Sequence, residues 1–324
     1  MEKLKIGDEI RIIAPSKSIK NKQDELILLS KQTLENMGFK VTFGKNVTKT
    51  REYYESATVK ERVEDLEEAF MDKHVKAIIC ARGGFSVNQI LEHINYDIIK
   101  ANPKIICGFS DITALLNSIY AKTGIETYSG LNFSSFAMKK GIEYSLEYFR
   151  KVLMENEKIE LRPAEYWSND YWQQEQEQRN FIKNEGMFVI QEGEAEGEII
   201  GGNLCTLNLL QGTPFMPDIR NKILFLEDDG MAGEEFFLEF DRNLESLLQI
   251  QGSELIKGIV IGRAELICDM TKEKWTALIK QKEKLKSIPI VADVDSGHTT
   301  PIITFPIGGK CKLKAYKNKI QCEI

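Results

Sequence analysis

Short apolar runs alternate with amphipathic helical segments through the first third of this 324-residue chain, and this alternation constrains the fold most strongly. Strands are predicted at Ile10–Ala14, Phe39–Phe43, Ala77–Cys80 and Ile105–Cys107, and helices at Asp24–Met37, Val59–Met71, Asn88–Ile94 and Ile112–Lys122. Such an order builds a parallel sheet with helices on both faces. Because ligands of these sheets bind outside the carboxyl ends of the strands, we expect an α/β fold with a site at that edge.

The second half of the chain carries a similar but less regular pattern. Strands are predicted at Ile223–Leu226, Ile259–Gly262 and Ile288–Ala292, and helices at Phe236–Ile250 and Thr271–Leu285. Between the halves lies a polar stretch with several tyrosines and tryptophans, which is typical of a linker or a long functional loop. We therefore predict three regions: an N-terminal α/β domain over residues 1–160, a linker with an aromatic loop over 161–190, and a C-terminal β/α domain over 191–324.

Charge and composition argue against several classes of partner. The net charge of −6 disfavours nucleic acid, whose backbone attracts a basic surface. The chain has no run of 18 apolar residues, and its N-terminus lacks the apolar core of a signal peptide, so we expect no membrane span. Six scattered cysteines form no C-x-x-C pair, and the three histidines show no metal-ligand spacing. These features predict reduced thiols, a cytoplasmic location and no metal site.

The segment KIICGFSDITALLN, residues 104–117, combines an apolar strand, a tight turn and an amphipathic helix. Ser110 would lie at the strand-to-helix corner, with its hydroxyl clear of the sheet and the N–H groups of the helix start beside it. The positive end of the helix favours a developing alkoxide, so this geometry suits a nucleophile. The alternative is that Ser110 or Asp111 simply caps the helix.

A serine nucleophile needs a base to take its proton. His298 is the best candidate because it lies in a polar loop, Ser296–Thr299, after a predicted buried strand. The other two histidines, His74 and His93, lie in or beside charged helices.

The base in turn needs an acid to orient it. Glu227 ends the apolar strand ILFL, where a carboxylate could hold an imidazole. Asp228 and Asp229 follow directly and are equally available, so spacing alone does not choose among the three.

A pair of glycines, Gly83 and Gly84, follows the third predicted strand and would allow close backbone approach to a ligand. Their N–H groups could join those after Ser110 to hold an oxyanion, or the pair could be an ordinary turn. Neither a G-x-G-x-x-G fingerprint nor a phosphate-binding G-x-x-x-x-G-K-[ST] loop is present, so no nucleotide cofactor is indicated. This absence also argues against a nucleotide-dependent transferase.

Five sequence blocks, taken together and in order, resemble the LD-carboxypeptidase and microcin-C-immunity family of serine peptidases. The blocks are ARGGFSVNQIL (81–91), NPKIICGFSDITAL (102–115), IIGGNLCTLNLLQGTP (199–214), ILFLEDDG (223–230) and DVDSGHTTPI (293–302). The resemblance implies an N-terminal flavodoxin-like domain, a C-terminal swivelling β/α domain and a homodimer.

The resemblance also assigns roles to individual residues. It implies a catalytic triad of Ser110, Glu227 and His298, and thereby selects Glu227 over its two neighbours. It further implies an oxyanion hole from the backbone N–H groups of Gly84 and Asp111. The reaction expected is acyl transfer from an amide to serine and then to water, without a metal or cofactor. A non-catalytic small-molecule binding protein is the alternative of another class.

Two substrate branches are known in the family: processed microcin C and related aminoacyl nucleotides, or murein tetrapeptides that end in D-alanine. The segment RPAEYWSNDYW, residues 162–172, looks like the longer aromatic loop of the immunity branch, in which a tryptophan can stack on adenine. This favours the first branch and makes Trp167 and Trp172 candidate substrate contacts, although aromatic residues more often pack between domains. Asn203 is a further candidate contact implied by the resemblance.

Overall fold

A computed structural model describes residues 1–20 and 24–324, which form two sheets and a small hairpin. The strands are β1 (Glu9–Ile13), β2 (Lys40–Phe43), β3 (Val75–Cys80), β4 (Ile105–Gly108), β5 (Thr127–Ser129), β6 (Tyr166–Trp167), β7 (Ile182–Lys183), β8 (Phe188–Gln191), β9 (Gly193–Asn203), β10 (Lys222–Glu227), β11 (Gly258–Gly262), β12 (Ile290–Val294), β13 (Phe305–Ile307), β14 (Lys310–Tyr316) and β15 (Lys319–Glu323). The α-helices are α1 (Asp24–Asn36), α2 (Val59–Met71), α3 (Tyr96–Ala101), α4 (Ile112–Thr123), α5 (Glu143–Met154), α6 (Leu204–Asn208), α7 (Phe236–Leu248) and α8 (Lys272–Lys280).

The N-terminal sheet has the strand order β2-β1-β3-β4-β5, with β13 antiparallel at the end. The first five strands are parallel, and their order is that of flavodoxin-like folds. The predicted α/β fold with a flavodoxin-like N-terminal sheet is therefore confirmed. The loops after β1, β3 and β4 all leave the sheet at its carboxyl edge.

The C-terminal sheet is mixed and has the order β15-β14-β9-β10-β11-β12-β8. Its centre, β9 to β12, is parallel, and antiparallel strands flank it on both sides. Glu227 is the last residue of β10, so it lies at the carboxyl edge of this parallel centre.

Local sequence signals explain where several helices begin and end. Thr58 and Glu61 form a reciprocal capping box at the start of α2, and Asn95 caps α3. Gly124 ends α4 in the left-handed conformation that favours glycine.

The structure differs from the sequence prediction in two helical segments. The predicted helix Asn88–Ile94 is a 3-10 helix, Val87–His93, because Asn95 starts a new helix directly after it. The predicted helix Thr271–Leu285 ends at Lys280 and continues as a separate 3-10 turn, Glu283–Leu285.

Strand pairing crosses the predicted region boundaries at two places. β13 lies within the predicted C-terminal region, yet it pairs with β5 and covers an edge of the N-terminal sheet. β8, which ends the predicted linker, pairs with β12. The division into 1–160, 161–190 and 191–324 stays a prediction.

The two sheets are joined through α4 and a shared apolar core. The Asn117 side chain donates to the Gly201 carbonyl (2.8 Å) and accepts from the Gly201 N–H (3.2 Å). The rings of Phe225 on β10 and Phe305 on β13 lie 4.9 Å apart. The helix that begins beside Ser110 is thus fixed directly to the sheet that carries Glu227.

None of the helices among residues 1–20 and 24–324 combines the length and apolarity that crossing a membrane requires.

Candidate active site

Ser110 occupies the sharp turn between β4 and α4. Its backbone φ is +66°, in the left-handed region that residues other than glycine rarely adopt. The residue at the helix start, Asp111, makes no side-chain capping hydrogen bond, and the Ser110 hydroxyl points to His298. A strained serine at a strand-to-helix turn is the arrangement that exposes a nucleophile.

Three side chains from distant parts of the chain converge at this turn. Ser110 Oγ lies 3.1 Å from His298 Nε2, and His298 Nδ1 lies 2.7 Å from Glu227 Oε2. The Phe109 ring packs against the imidazole, with 5.5 Å between ring centroids. A hydroxyl, an imidazole and a buried carboxylate in this order can activate the hydroxyl as a nucleophile.

The other candidate acids and bases point elsewhere. Asp228 accepts hydrogen bonds from the Asn203 side chain and from the Cys205 N–H, and Asp229 accepts from the Met231 N–H. His74 and His93 are both exposed, away from the turn. Spacing in the sequence left these alternatives open, whereas the structure brings only Glu227 of the three acids within hydrogen-bond distance of His298.

The charge state of His298 is set by its surroundings. Burial disfavours the imidazolium, but the charge of Glu227 and the hydrogen bond to it outweigh burial, with help from Asp229 and Glu265. The pKa of His298 is raised to about 9. Because a general base must be unprotonated, this residue gains basic capacity as the pH rises through that value.

Two glycines allow the three side chains to approach. A Cβ on Gly83 would lie 2.9 Å from Ser110 Oγ, and a Cβ on Gly297 would lie 2.9 Å from Glu227 Oε2. Gly297 also has a φ of +110°, which a larger residue would adopt only with strain. Larger side chains at either position would therefore push apart the groups that have to meet.

The backbone N–H groups of Gly84 and Asp111 lie on two adjoining turns at Ser110. Among residues 1–20 and 24–324, neither N–H donates a hydrogen bond to a protein acceptor. A Cβ on Gly83 would be 3.5 Å from the Asp111 nitrogen, so the glycine loop runs directly past it. Two unoccupied donors beside a nucleophile can hold an oxyanion.

The Asp111 side chain fixes these two turns to each other. Its Oδ2 accepts from the Ser16 hydroxyl (2.5 Å), the Ser86 N–H (2.9 Å) and the Val87 N–H (3.0 Å). The fully buried Arg62 completes the network, because it donates to the Pro15 carbonyl and to the Ser86 carbonyl and hydroxyl.

Sequence reasoning missed Ser16 and Arg62. The available signal was an arginine on the buried face of α2, where Val63, Leu66 and Phe70 also point. Burial lowers the pKa of Arg62 to about 10, an effect that repulsion from Arg51 adds to and the Asp111 charge opposes.

The candidate aromatic contacts occupy different places. Trp172 lines the cleft above Ser110 and is itself mostly buried. Trp167 packs its ring against the Arg263 guanidinium at 5.0 Å and lines a separate cavity. Tyr171, beside Trp172, is 77% exposed at the cleft mouth.

Asn203 is buried and does not line the cleft. Its side chain accepts from the Thr206 N–H and donates to Asp228, and its own N–H donates to the Thr113 hydroxyl. These contacts place it at the junction of β9, α6 and α4.

The segment between the two halves is attached to the loop that carries His298. Ser168 and Thr300 exchange two backbone hydrogen bonds, of 2.7 and 2.9 Å. Asp295 accepts from the Ala164 N–H (2.8 Å) and forms a buried ion pair with Arg263 (2.5 Å).

The cleft has a volume of about 570 Å³ and two walls of opposite charge. Lys17 and Arg82 line the N-terminal wall, while Asp229 and Glu265 line the C-terminal wall. Such a polarity can orient a charged substrate.

Among the residues that the structure describes, one group of three side chains could hold a metal ion by distance alone. The ligand atoms of Cys205, Asp228 and Asp229 lie within 4.8 Å of one another. They already take part in hydrogen bonds with Asn203, the Cys205 N–H and the Met231 N–H. Burial, and next the charge of Glu227, raises the pKa of Asp228 to about 7. We assign no metal to this group, and a reaction without a metal stays a prediction.

Comparison with known proteins places this geometry in context. The YocD protein of Bacillus subtilis (strain 168) is 47% identical over 97% of this chain and 95% of its own length. The microcin C7 self-immunity protein MccF of Escherichia coli is 32% identical over 95% of this chain and 90% of its length. The murein tetrapeptide carboxypeptidase of Pseudomonas aeruginosa is 27% identical over 94% of this chain and 92% of its length.

Solved structures match over the whole chain. The MccF-like protein of Bacillus anthracis superimposes with a TM-score of 0.98 at 49% identity, covering 99% of this chain and 98% of that one. MccF in complex with aspartyl sulfamoyl adenosine superimposes with a TM-score of 0.88 at 30% identity, covering 99% of this chain and 97% of the MccF chain.

The sequence models of the two LD-carboxypeptidase domains match this chain one after the other. The N-terminal domain matches residues 10–130, and the C-terminal domain matches residues 196–313. The chain therefore belongs to the S66 LD-carboxypeptidase family of peptidases.

Proposed function

We propose that this chain is a serine hydrolase that cleaves an amide bond through an acyl-enzyme, with Ser110 as nucleophile, His298 as base and Glu227 as orienting acid. The observation that carries the proposal is the unbroken chain of contacts from Ser110 Oγ to His298 Nε2 (3.1 Å) and from His298 Nδ1 to Glu227 Oε2 (2.7 Å). The strained turn at Ser110 supports it further.

The reaction follows from these contacts. Neutral His298 takes the proton of Ser110 as its oxygen attacks the amide carbonyl, and Glu227 stabilises the imidazolium. The oxyanion accepts hydrogen bonds from the Gly84 and Asp111 N–H groups. His298 then gives the proton to the leaving amine, and water repeats the sequence on the acyl-enzyme.

The proposed substrate is an aminoacyl nucleotide of the microcin C type. Support comes from the likeness to MccF, whose solved complex holds aspartyl sulfamoyl adenosine, and from a cleft with Trp172 in its wall and Tyr171 at its mouth. The second candidate is a murein tetrapeptide that ends in D-alanine, which the likeness to the Pseudomonas aeruginosa enzyme favours.

One pair of assays tests both the reaction and the substrate. The wild-type protein is incubated with aspartyl sulfamoyl adenosine and, separately, with a murein tetrapeptide, and the release of aspartate and of D-alanine, respectively, is measured. Faster turnover of the nucleotide supports the first substrate, and faster turnover of the peptide replaces it with the second. A chelator in both assays should leave the rates unchanged.

Ser110→Ala is the decisive variant. It should lower kcat/KM by at least about 10⁴-fold, because removal of a triad nucleophile leaves only binding and oxyanion stabilisation. Undiminished turnover in a folded Ser110→Ala protein would contradict the proposal, and tight binding without hydrolysis by the wild type would favour a binding protein.

We further propose a homodimer in the cytoplasm. The six cysteines are free in the structure, which fits a reducing compartment. Light scattering on the purified protein measures the oligomeric state, and a mass of 37.0 kDa would contradict the dimer.

A further inference from the structure

Arg82 lines the same cleft as Ser110 and His298 without being part of the triad or the proposed oxyanion hole. It is the second residue after β3 and lines the cleft. Its neighbour Gly83 approaches Ser110 so closely that a Cβ would lie 2.9 Å from the serine oxygen. Consecutive Cα atoms are about 3.8 Å apart. The Arg82 side chain therefore branches from the backbone one residue before the glycine that contacts Ser110.

The Arg82 guanidinium is half-buried and has no acceptor among the residues that the structure describes. Within residues 1–20 and 24–324, it forms neither a hydrogen bond nor an ion pair. Burial lowers the pKa of Arg82, and the charge of Glu55 only partly opposes this. The Glu55 carboxylate itself contacts the Lys17 ammonium at 2.5 Å.

Two buried arginines of this chain, Arg62 and Arg263, have acceptors within the fold. Arg62 donates to the Pro15 and Ser86 carbonyls and to Gln89, and Arg263 pairs with Asp295. A partly desolvated cation without protein acceptors is less stable than a paired one, so the Arg82 guanidinium in the cleft points to a ligand that supplies the acceptors.

The opposite wall of the cleft fixes the direction in which an anion would bind. Asp229 and Glu265 are both acidic. Asp229 accepts a hydrogen bond from the Met231 N–H, and Glu265 accepts one from the Gly230 N–H. An anionic group would be repelled there and attracted to the wall that carries Arg82.

We propose that Arg82 binds the anionic group of the leaving half of the substrate, next to the scissile amide. The group is a carboxylate or a phosphoryl oxygen pair, because the planar guanidinium matches both with two parallel hydrogen bonds. This specificity residue rests on the proposed function, since it presupposes that a substrate lies in this cleft. It adds to that function a preference for a negative charge on the leaving side.

Binding to a Ser110→Ala protein tests the proposal without turnover. Calorimetry is carried out with two matched ligand pairs: a murein tetrapeptide and its C-terminal amide, and AMP and adenosine. The anionic member of at least one pair should bind at least tenfold more tightly than the neutral member. The pair that shows the preference identifies the source of the anion.

Adding Arg82→Gln should remove this preference. We expect the anionic ligand to lose about ten- to hundredfold in affinity, the range of a hydrogen bond to a charged group, and the neutral ligand to lose less than about twofold. Arg82→Lys keeps the positive charge but cannot form the two parallel hydrogen bonds, so it should lose part of the preference for the anionic ligand. Arg220→Gln removes an exposed arginine paired with Asp218 and serves as the matched control.

The outcomes separate the two proposals. Equal loss for anionic and neutral ligands, or no anionic preference in either pair, would overturn the role of Arg82. If Arg82→Gln does not fold, the loss of preference in Arg82→Lys decides. Charge-selective binding through Arg82 without hydrolysis by the wild type would contradict the proposed function and leave the anion site standing. Hydrolysis by the wild type, together with equal losses of affinity for anionic and neutral ligands in Arg82→Gln, would support the proposed function and overturn the role of Arg82.

Discussion

The two halves of the candidate site are held in place in different ways. Ser110 and the two N–H groups proposed to hold the oxyanion follow strands of one sheet, and the buried Asp111 carboxylate with its three donors fixes their turns. His298 lies on a loop after β12, and contacts with residues 161–190 hold that loop through Thr300 and Asp295.

The comparison teaches that nucleophile and base depend on different parts of the chain. The nucleophile side is built by turns that belong to one sheet, whereas the base side needs a segment outside that sheet and more than 100 residues earlier in the sequence. Substitutions on the two sides should therefore lower activity through distinguishable effects.

The largest effect is expected where the two halves meet, in Glu227→Gln. The amide would donate to His298 Nδ1 and favour the tautomer that presents an N–H, and no acceptor, to Ser110. We expect kcat to fall by about 10⁴-fold, as for loss of a triad carboxylate. The rise of kcat/KM with pH, which His298 sets at about 9, should move down by more than one pH unit.

Stability should respond to the same ion pair. The folded-state pKa of His298 lies above its ordinary value of 6.5, so the stabilisation is complete below pH 6.5 and is lost as the pH rises through about 9. The difference in free energy of unfolding between wild type and Glu227→Gln should shrink over that window in urea titrations. A difference that grows with pH would contradict the pairing.

On the nucleophile side, Asp111→Ala should lower kcat by about 10²-fold with little change in KM. Loss of the carboxylate releases the Ser86 and Val87 N–H groups and lets the Gly84 donor move away from the oxyanion. Ser16→Ala removes one of the three hydrogen bonds and is the graded control, with a loss below about tenfold. Equal losses in both variants would show that Asp111 does not act by holding the loop.

The sequence allowed the fold and the triad to be predicted for separate reasons. Short continuous apolar runs located β1, β3 and β4 to within a few residues because these central strands are largely buried, and helical periodicity located α2 because it buries one face. The triad candidates came from a serine at a turn, a glutamate at a strand end and a histidine in a polar loop, together with family resemblance. Periodicity could not show the pairing of β13 with β5, because short edge strands depend on long-range contacts.

The polar network was beyond sequence reasoning for a related physical cause. Ser16, Arg62 and Asp111 are 95 residues apart at most, and their hydrogen bonds exist only once three strand ends lie side by side. The same holds for Asp295 and Ala164, which only the folded chain brings together.

On the base side, Asp295→Ala should act first on stability. It leaves Arg263 buried without its partner and releases Ala164, which we expect to cost about 3–5 kcal/mol in free energy of unfolding. At temperatures below the melting temperature of the variant, kcat should fall by about tenfold because the loop that carries His298 is held less firmly. Asp218→Ala, which breaks an exposed ion pair with Arg220, is the control and should change stability by less than about 1 kcal/mol. Thermal and urea unfolding with parallel kinetics measure both effects.

The smallest effect separates the two candidate tryptophans. Trp172 lines the cleft, so Trp172→Phe should raise KM several-fold while kcat stays within about twofold, since only part of the contact area is lost. Trp167 packs on Arg263 in another cavity, and Trp167→Phe should leave KM unchanged. A larger rise in KM for Trp167→Phe would mean that the 161–190 segment rearranges when substrate binds. In that case the base side of the site would be completed by the ligand, while the nucleophile side is already formed without it.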